Sequence, residues 1–248
     1  MKHLLVGALA LIATLGIGCS GAPRINPEGV EPVKMEAFEV YDQVACREFA
    51  KFIVSSKSDV CTGLASMLYF GAEISGWYDA SMESSMLSYK PLAIAEEQDM
   101  IKVDMLLTEE SMQSIVASYF GPDVRFAWSQ FNVSDDPTKG RYQLYALRGY
   151  NGGTQPFIDG SYLVEAEAVV GMAPCPMVSM KFNAEGAKRI YEVTKRNVGR
   201  PLAVLLDGRV YSLPVIMSDI VGGLFSISGD LTEEEAERLV VAITKFVY

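Results

Sequence analysis

The sequence has a single histidine, His3, and this residue lies in a segment that is predicted to be removed. A mature chain without histidine excludes Ser-His-Asp and Cys-His catalysis, and every metal site that needs an imidazole ligand. An S-x-x-K nucleophile, a P-loop, a G-x-G-x-x-G stretch after a strand and an EF-hand loop are also missing. We therefore predict no catalytic residues, no metal and no cofactor.

Long apolar runs are missing beyond the N-terminus, so no other segment is predicted to span a membrane. At the N-terminus, Met1-Lys-His is followed by about fifteen apolar or small residues, too few for a stable span. The end of this run, Leu15-Gly-Ile-Gly-Cys19, resembles a bacterial lipoprotein signal. The resemblance implies a signal peptide at 1–18 and lipid attachment at Cys19. The alternative is an ordinary cleaved signal, with Cys19 lost or left as a free thiol.

This attachment predicts a protein of the cell envelope that faces the periplasm and is held at the membrane by acyl chains rather than by helices. Ser20, rather than Asp, follows the cysteine. By resemblance to the sorting rule of enteric bacteria, that residue favours the outer membrane.

Basic residues are few. The chain has 21 Lys and Arg against 31 Asp and Glu; loss of Lys2 with the signal leaves 20 against 31, a net charge of −11. An acidic protein repels nucleic acid and anionic lipid head groups. We therefore predict no nucleic-acid partner, and solubility alone explains the acidity.

Three cysteines remain once Cys19 is used: Cys46, Cys61 and Cys175. An oxidising compartment favours pairing, and Cys46 with Cys61 is a possible disulfide, worth on the order of 3 kcal/mol for a loop of this length. Cys175 would then be a free, buried thiol. The sequence leaves open whether the pair forms.

Prolines and glycines between Ser20 and Lys34 indicate a flexible tether, so residues 19–34 are assigned to it. Apolar residues recur near the helical period from Met35 to about Ser56, which predicts a helix there and a mostly helical region at 35–90. After Pro91, short alternating patterns predict strands. Residues 91–248 are therefore assigned to a second domain.

The C-terminal pattern is the clearest. Val178, Met180 and Phe182 alternate as in a strand, and Asn183 is a good N-cap for the helix that follows. Asp207-Gly208 between two apolar stretches predicts a hairpin with a type I′ turn. A third strand is predicted at 224–227. Thr232 with Glu235 predicts a capping box on the last helix.

The predicted order β-α-β-β-β-α indicates an α+β fold, with an antiparallel sheet and helices packed on one face. The stretches Val178–Ala187, Thr194–Gly208, Val210–Ile216, Ile220–Gly229 and Leu231–Ala236 resemble the head of the first periplasmic domain of SecD and SecDF, an accessory of the bacterial protein-export translocon. Weaker similarity extends upstream to about Asp104.

The matched residues are interpreted as determinants of the fold. Some of them form a turn or a bend, some adopt positive φ or allow close backbone packing, and one caps a helix. They are Asp207, Gly208, Pro214, Gly222, Gly223, Gly229 and Thr232.

The resemblance implies contact with a translocating polypeptide. It does not imply proton-driven pulling, because the charged membrane helices of SecD have no counterpart in this sequence. Our first hypothesis is a non-catalytic, lipid-anchored accessory that binds exported polypeptide or the export machinery, with strand addition at an open sheet edge as the mode. The alternative is a structural or assembly lipoprotein that reuses the fold to dock in another envelope complex. A remote alternative is a carboxylate-based hydrolase, for which Glu165 and Glu167 are a candidate pair.

Overall fold

The computed structural model describes residues 28–70, 91–134, 136, 138–170, 176–228 and 231–247. Its helices and strands confirm an α+β fold with antiparallel sheets. The six α-helices in the described residues are α1 Gln43–Ser55, α2 Asp59–Met67, α3 Met100–Thr108, α4 Glu110–Phe120, α5 Ala184–Arg196 and α6 Glu233–Val247. None of them is both long enough and apolar enough to cross a membrane.

Ten strands are present in the same residues. The first five are β1 Met35–Val40, β2 Ala93–Glu96, β3 Val124–Trp128, β4 Arg141–Arg148 and β5 Ile158–Asp159. The second five are β6 Leu163–Val169, β7 Met177–Phe182, β8 Leu202–Leu206, β9 Arg209–Ser212 and β10 Leu224–Ser228.

The chain forms two compact units. The central unit contains Phe38–Gln155 with Arg209–Tyr211, and the C-terminal unit contains Pro156–Gly208, the residues from Ser212 onward and the described residues before Phe38. Each unit is described by itself below.

The central unit packs α1 to α4 around one apolar core. In this unit β4 pairs antiparallel with β2, with β3 and with the end of β1. The fully buried side chains include Phe49, Ile53, Leu64, Val103 and Met112. They come from all four helices, so each helix contributes one apolar stripe to the same core.

The prediction of a helix from Met35 is wrong for its first six residues, which form β1. Five of the six are buried, so this strand lacks the alternation that marks a half-exposed one. The helix begins only at Gln43, where Asp42 accepts hydrogen bonds from the amides of Val44 and Ala45 at 3.0 Å.

In the C-terminal unit, β7 lies between β6 and β10 in a three-stranded antiparallel sheet, and α5 and α6 pack against it. The predicted N-cap is confirmed, because Asn183 Oδ1 accepts from the Gly186 amide at 2.9 Å. The predicted capping box is confirmed as well. Thr232 Oγ1 accepts from the Glu235 amide at 3.2 Å, and Glu235 Oε2 accepts from the Thr232 amide at 2.8 Å.

The residues that precede β1 pack on α6. The Val33 amide donates to the Ala242 carbonyl at 2.9 Å, and Lys245 Nζ donates to the Val30 carbonyl at 2.9 Å. Val30 is buried against Val241 and Ala242. The last residues of the predicted tether are therefore part of the packed C-terminal unit.

Candidate functional site

The candidate site is the three-stranded sheet of the C-terminal unit, because it has two edges. The order β10-β7-β6 places β10 at one edge and β6 at the other. Phe225 lies opposite Met180, and Ala166 lies opposite Met180 on the other side. An edge strand carries backbone donors and acceptors that its own sheet does not use.

The two faces of this sheet differ. Val178, Met180 and Phe182 of β7 are buried on one face, which is the face that the helices cover. The opposite face carries Lys181, which is exposed and lies between Glu165 of β6 and Leu224 of β10. The alternation predicted for residues 178–182 is confirmed, and the face that carries the exposed Lys181 is here called the open face.

Glu165 and Glu167 project on this same open face, two residues apart along β6. Lys181 lies opposite Glu165, and Ser179 lies opposite Glu167. Within the described part of the chain, no group of three or more His, Cys, Asp or Glu is placed to hold a metal ion. The arrangement is that of charged residues on an exposed strand.

Two hydrogen bonds show which backbone groups of β7 bond to each neighbouring strand. The Phe182 amide donates to the Gly223 carbonyl at 3.0 Å, toward β10, and the next amide, Asn183, donates to the Tyr162 carbonyl at 2.9 Å, toward β6. In an antiparallel ladder these directions alternate residue by residue. Phe225 and Ile227 therefore bond to β7, while the N–H and C=O groups of Leu224 and Ser226 point away from it.

The same alternation applies to β6. Glu165, Glu167 and Val169 bond to β7, and the backbone groups of Ala166 and Ala168 point outward. The ladder is interrupted by a register shift between Leu163 and Glu165, which makes Val164 the extra residue of a β-bulge. The edges therefore differ in regularity, because the β10 ladder has no such shift.

The connection from β9 to β10 is fastened at several points to α5 and to the turn that follows it. The Gly199 amide donates to the Ile216 carbonyl at 2.7 Å, and the Ile216 amide donates to the Arg200 carbonyl at 3.0 Å. The Ile220 amide donates to Thr194 Oγ1 at 2.9 Å, inside the core. Thr194 itself is fully buried.

The residues that carried the family resemblance have backbone roles where the structure describes them. Asp207 has φ 49° and Gly208 has φ 78°, so both central residues of the predicted turn between β8 and β9 have positive φ. Gly222 and Gly223 also have positive φ, 95° and 70°.

Two further matched residues are placed, and two predicted residues are not. Pro214 lies outside the strands, and its carbonyl accepts from the Leu202 amide at 3.0 Å. Thr232 caps α6. Gly229 and Cys19 lie outside the described residues.

Cys46 and Cys61 lie on α1 and α2 in the same core, and both are buried free thiols in the structure. Burial, with the charge of Asp42 adding, raises the pKa of Cys46 to about 12. The thiol therefore stays protonated and unreactive at neutral pH once the core has formed. The pairing of the two cysteines stays a prediction.

A polar cluster around the buried Tyr41 of the central unit has no signal in the sequence. The Tyr41 hydroxyl hydrogen-bonds to Asp123 Oδ1 at 2.8 Å and to the Phe120 carbonyl, and the Arg148 guanidinium carbon lies 4.4 Å from the centre of the Tyr41 ring. Burial raises the pKa of Tyr41 to about 12; Asp123 adds to the shift and Arg148 opposes it. The cluster joins β1, α4 and β4, which are far apart in sequence.

Comparison with known proteins found relatives of the C-terminal part of the chain. Residues 139–245 match the family described as SecDF, P1 head subdomain. The chain is 43% identical over 88 residues to the protein translocase subunit SecDF of Thermus thermophilus, a match that covers 36% of this chain and 12% of that protein. It is 37% identical over 102 residues to the SecD subunit of Sebaldella termitidis, covering 41% of this chain and 25% of that one.

The matched stretch is thus homologous to the periplasmic region of SecD and SecDF, and it spans a quarter or less of these relatives. A solved structure, described as SecDF in a super-membrane-facing form, aligns at 20% identity over 90% of this chain and 30% of that chain. Its TM-score of 0.35 is too low to support a structural inference.

Proposed function

We propose that this protein is a lipid-anchored, non-catalytic accessory of protein export that faces the periplasm. Its C-terminal unit binds exported polypeptide or the export machinery. The observation that carries the proposal is the match of residues 139–245 to the P1 head subdomain of SecDF. The relatives that share this stretch are translocase subunits.

The proposal concerns polypeptide contact alone, since the match covers only the head and a small share of each relative. A three-stranded sheet with an edge strand on each side supports it physically. An extended chain can bond to edge backbone groups whatever its side chains are, and this suits a domain that meets many different exported sequences.

The anchor is the second part of the proposal. A chain acylated at Cys19 is held at the membrane surface, and residues 35–138 lie outside the matched head. The outer membrane is favoured by Ser20. An anchor of this kind keeps the C-terminal unit near the site where exported chains emerge or are delivered.

A second candidate function is docking within another envelope complex. An exposed apolar pair on α3 of the central unit favours it: Ile101 is 76% exposed and Met105 is 67% exposed, one helical turn apart. Replacing both with lysine should release a fixed partner complex if this candidate is correct. The folded core should be unaffected, since neither side chain is buried.

The proposed function is tested by crosslinking in cells, followed by purification of the tagged protein beside a Cys19→Ala variant. We expect translocon subunits or nascent exported chains to be enriched with the wild type and lost with the variant. Recovery of an unrelated, constant set of envelope proteins would support the docking candidate. Recovery of nothing above background from the wild type would overturn both.

A further inference from the structure

We propose that the β10 edge, rather than the β6 edge, accepts the partner, and that the partner is an extended polypeptide segment without acidic residues. The segment would add to β10 as a fourth strand. This inference rests on the proposed function and assigns its contact to named backbone groups.

The first step is the direction of the backbone. Phe225 and Ile227 use their N–H and C=O groups on β7, so those of Leu224 and Ser226 face outward. Among the described residues no backbone hydrogen bond reaches Leu224 or Ser226 from that side. Two residues in one regular stretch therefore offer two donors and two acceptors at the spacing of a β-ladder.

The second step is the contrast with β6. That edge has the bulge at Val164, which bends the strand and breaks the ladder, and Glu165 and Glu167 on its open face. Bulges and charged side chains are the devices by which natural sheets prevent another strand from pairing at an edge. The β6 edge has both.

The β10 edge has neither device. Its sequence, Leu-Phe-Ser-Ile-Ser, contains no charge and no proline, and its register with β7 is unbroken from Leu224 to Ser228. Two exposed side chains on and before β10 are apolar, with Leu224 45% exposed and Val221 77% exposed, and the exposed Lys181 of β7 lies opposite Leu224. An uncharged, regular edge with a fixed register is suited to receive another strand.

The third step is the chemistry of the occupant. The added strand would place alternate side chains on the open face, next to Leu224 and Ser226, so apolar or hydroxyl side chains fit there. Lys181 lies opposite Leu224 on the same face, Glu165 and Glu167 lie on the strand beyond it, and the whole chain carries a net charge of −10. The excess of negative charge thus disfavours an acidic segment, and a neutral or basic segment is favoured.

Proline substitution separates the two edges. Ser226→Pro removes an outward N–H from β10, and Ala168→Pro removes an outward N–H from β6, its matched control. Proline is tolerated at such positions of edge strands because the lost donor is not used within the sheet. Circular dichroism and thermal unfolding of both variants establish that they fold.

The probe is a fluorescein-labelled synthetic peptide of alternating valine and serine, flanked by lysine, titrated by anisotropy into the detergent-purified full chain. We expect Ser226→Pro to weaken binding about tenfold, which corresponds to about 1.4 kcal/mol, and Ala168→Pro to leave it unchanged. In the unsubstituted protein, amide exchange at Leu224 and Ser226 should slow when the peptide is added. This second measurement stands even if a proline variant fails to fold.

Loss of binding with Ala168→Pro alone would overturn the assignment to β10. If both variants still bind the peptide and amide exchange does not change, strand addition would be overturned. The proposed function would remain intact in that case. A wild-type dimer in sedimentation that Ser226→Pro dissociates would make the occupant a second copy of this chain, and would also overturn the inference. Failure of the wild type to bind the peptide, together with crosslinking that recovers no export component, would overturn the proposed function itself.

Discussion

A β-carbon built on Gly223 would come within 2.6 Å of the Cβ atom of Ala187 and 3.0 Å of its Cα atom. Gly223 thus marks a point where the backbone entering β10 touches α5, and it has a φ of 70°. Its carbonyl also accepts the hydrogen bond from Phe182. The start of the candidate edge is therefore fixed by contact with a helix and by a bond to β7.

Replacement of Gly223 with alanine should lower the free energy of unfolding by about 2–4 kcal/mol, from positive φ together with the clash. Gly222→Ala is the matched control. Gly222 has a φ of 95° and nothing within 4 Å of a built Cβ, so that variant should lose only about 1–2 kcal/mol. Urea unfolding of the two variants measures the difference. Equal losses would show that the contact with Ala187 relaxes without cost.

Thr194 on α5 provides a second prediction. Its hydroxyl donates to the Ile190 carbonyl at 2.7 Å and accepts from the Ile220 amide at 2.9 Å. Thr194→Val keeps the shape but leaves a buried amide without a partner, which should cost about 1–3 kcal/mol. Thermal or urea unfolding measures this cost.

Thr244 on α6 is the control for that change. Its hydroxyl donates to the Val240 carbonyl at 2.8 Å, as in an ordinary helical back-bond. Among the described residues no amide donates to this hydroxyl, so the valine variant should change the free energy of unfolding by no more than about 0.5 kcal/mol. Similar losses for both valine variants would contradict the role assigned to the Ile220 amide.

Tyr41 provides a prediction with a pH dependence. Removal of its hydroxyl in Tyr41→Phe should cost about 1–2 kcal/mol at neutral pH, because Asp123 loses its buried donor. The pKa of Tyr41 in the folded chain, about 12, lies above the ordinary tyrosine value of about 10, so the unfolded chain ionises first. The stabilisation from this group is complete below about pH 10 and is lost as pH rises toward 12.

We therefore expect the free energy of unfolding, measured in urea at pH 8, 10 and 11, to fall more steeply with pH for the wild type than for Tyr41→Phe. Tyr119→Phe is the control, since the Tyr119 ring packs on Phe49 and Phe52. This control removes a tyrosine hydroxyl from the same apolar core and leaves the contact between Tyr41 and Asp123 in place. Parallel profiles for all three proteins would mean that Tyr41 ionises alike in the folded and unfolded chains.

The cysteine pair provides a fourth prediction. Burial keeps the Cys46 thiol protonated and out of reach of oxidants in the folded chain. We therefore expect a Cys46–Cys61 disulfide to form only while the chain folds. Two thiols then lose two protons and two electrons to a disulfide oxidant of the compartment. The closed loop should add roughly 3 kcal/mol of stability.

Alkylation after unfolding, followed by peptide mass measurement, tests this. Chains exported to an oxidising compartment should leave both cysteines unlabelled until a reductant is added. Chains folded in a reducing cytoplasm and then treated with oxidised glutathione should label at both positions. Labelling of the exported chain without reductant would show that the thiols stay free.

The sequence predicted the C-terminal elements because each has a local cause. Asn183 and Thr232 cap helices, Asp207-Gly208 adopts positive φ, and residues 178–182 alternate, all within a few residues of chain. Local preferences of this kind predict the folded structure correctly where tertiary packing favours the same conformation.

Where packing overrides the local pattern, prediction failed. Phe38 and Tyr41 fit a helical spacing, but they lie in and after a strand that is buried along almost its whole length. The edges of the candidate sheet depend on strand order, which no short stretch of sequence encodes.

The connection from β9 to β10, fastened to α5 by the amides of Gly199, Ile216 and Ile220, has a consequence for affinity. A segment without regular structure that is already held in place loses its conformational freedom when the chain folds, rather than when a partner arrives. Binding at the neighbouring strand would then carry little further entropic cost. If an extended chain adds to β10 as proposed, a few backbone bonds would then be enough to hold it.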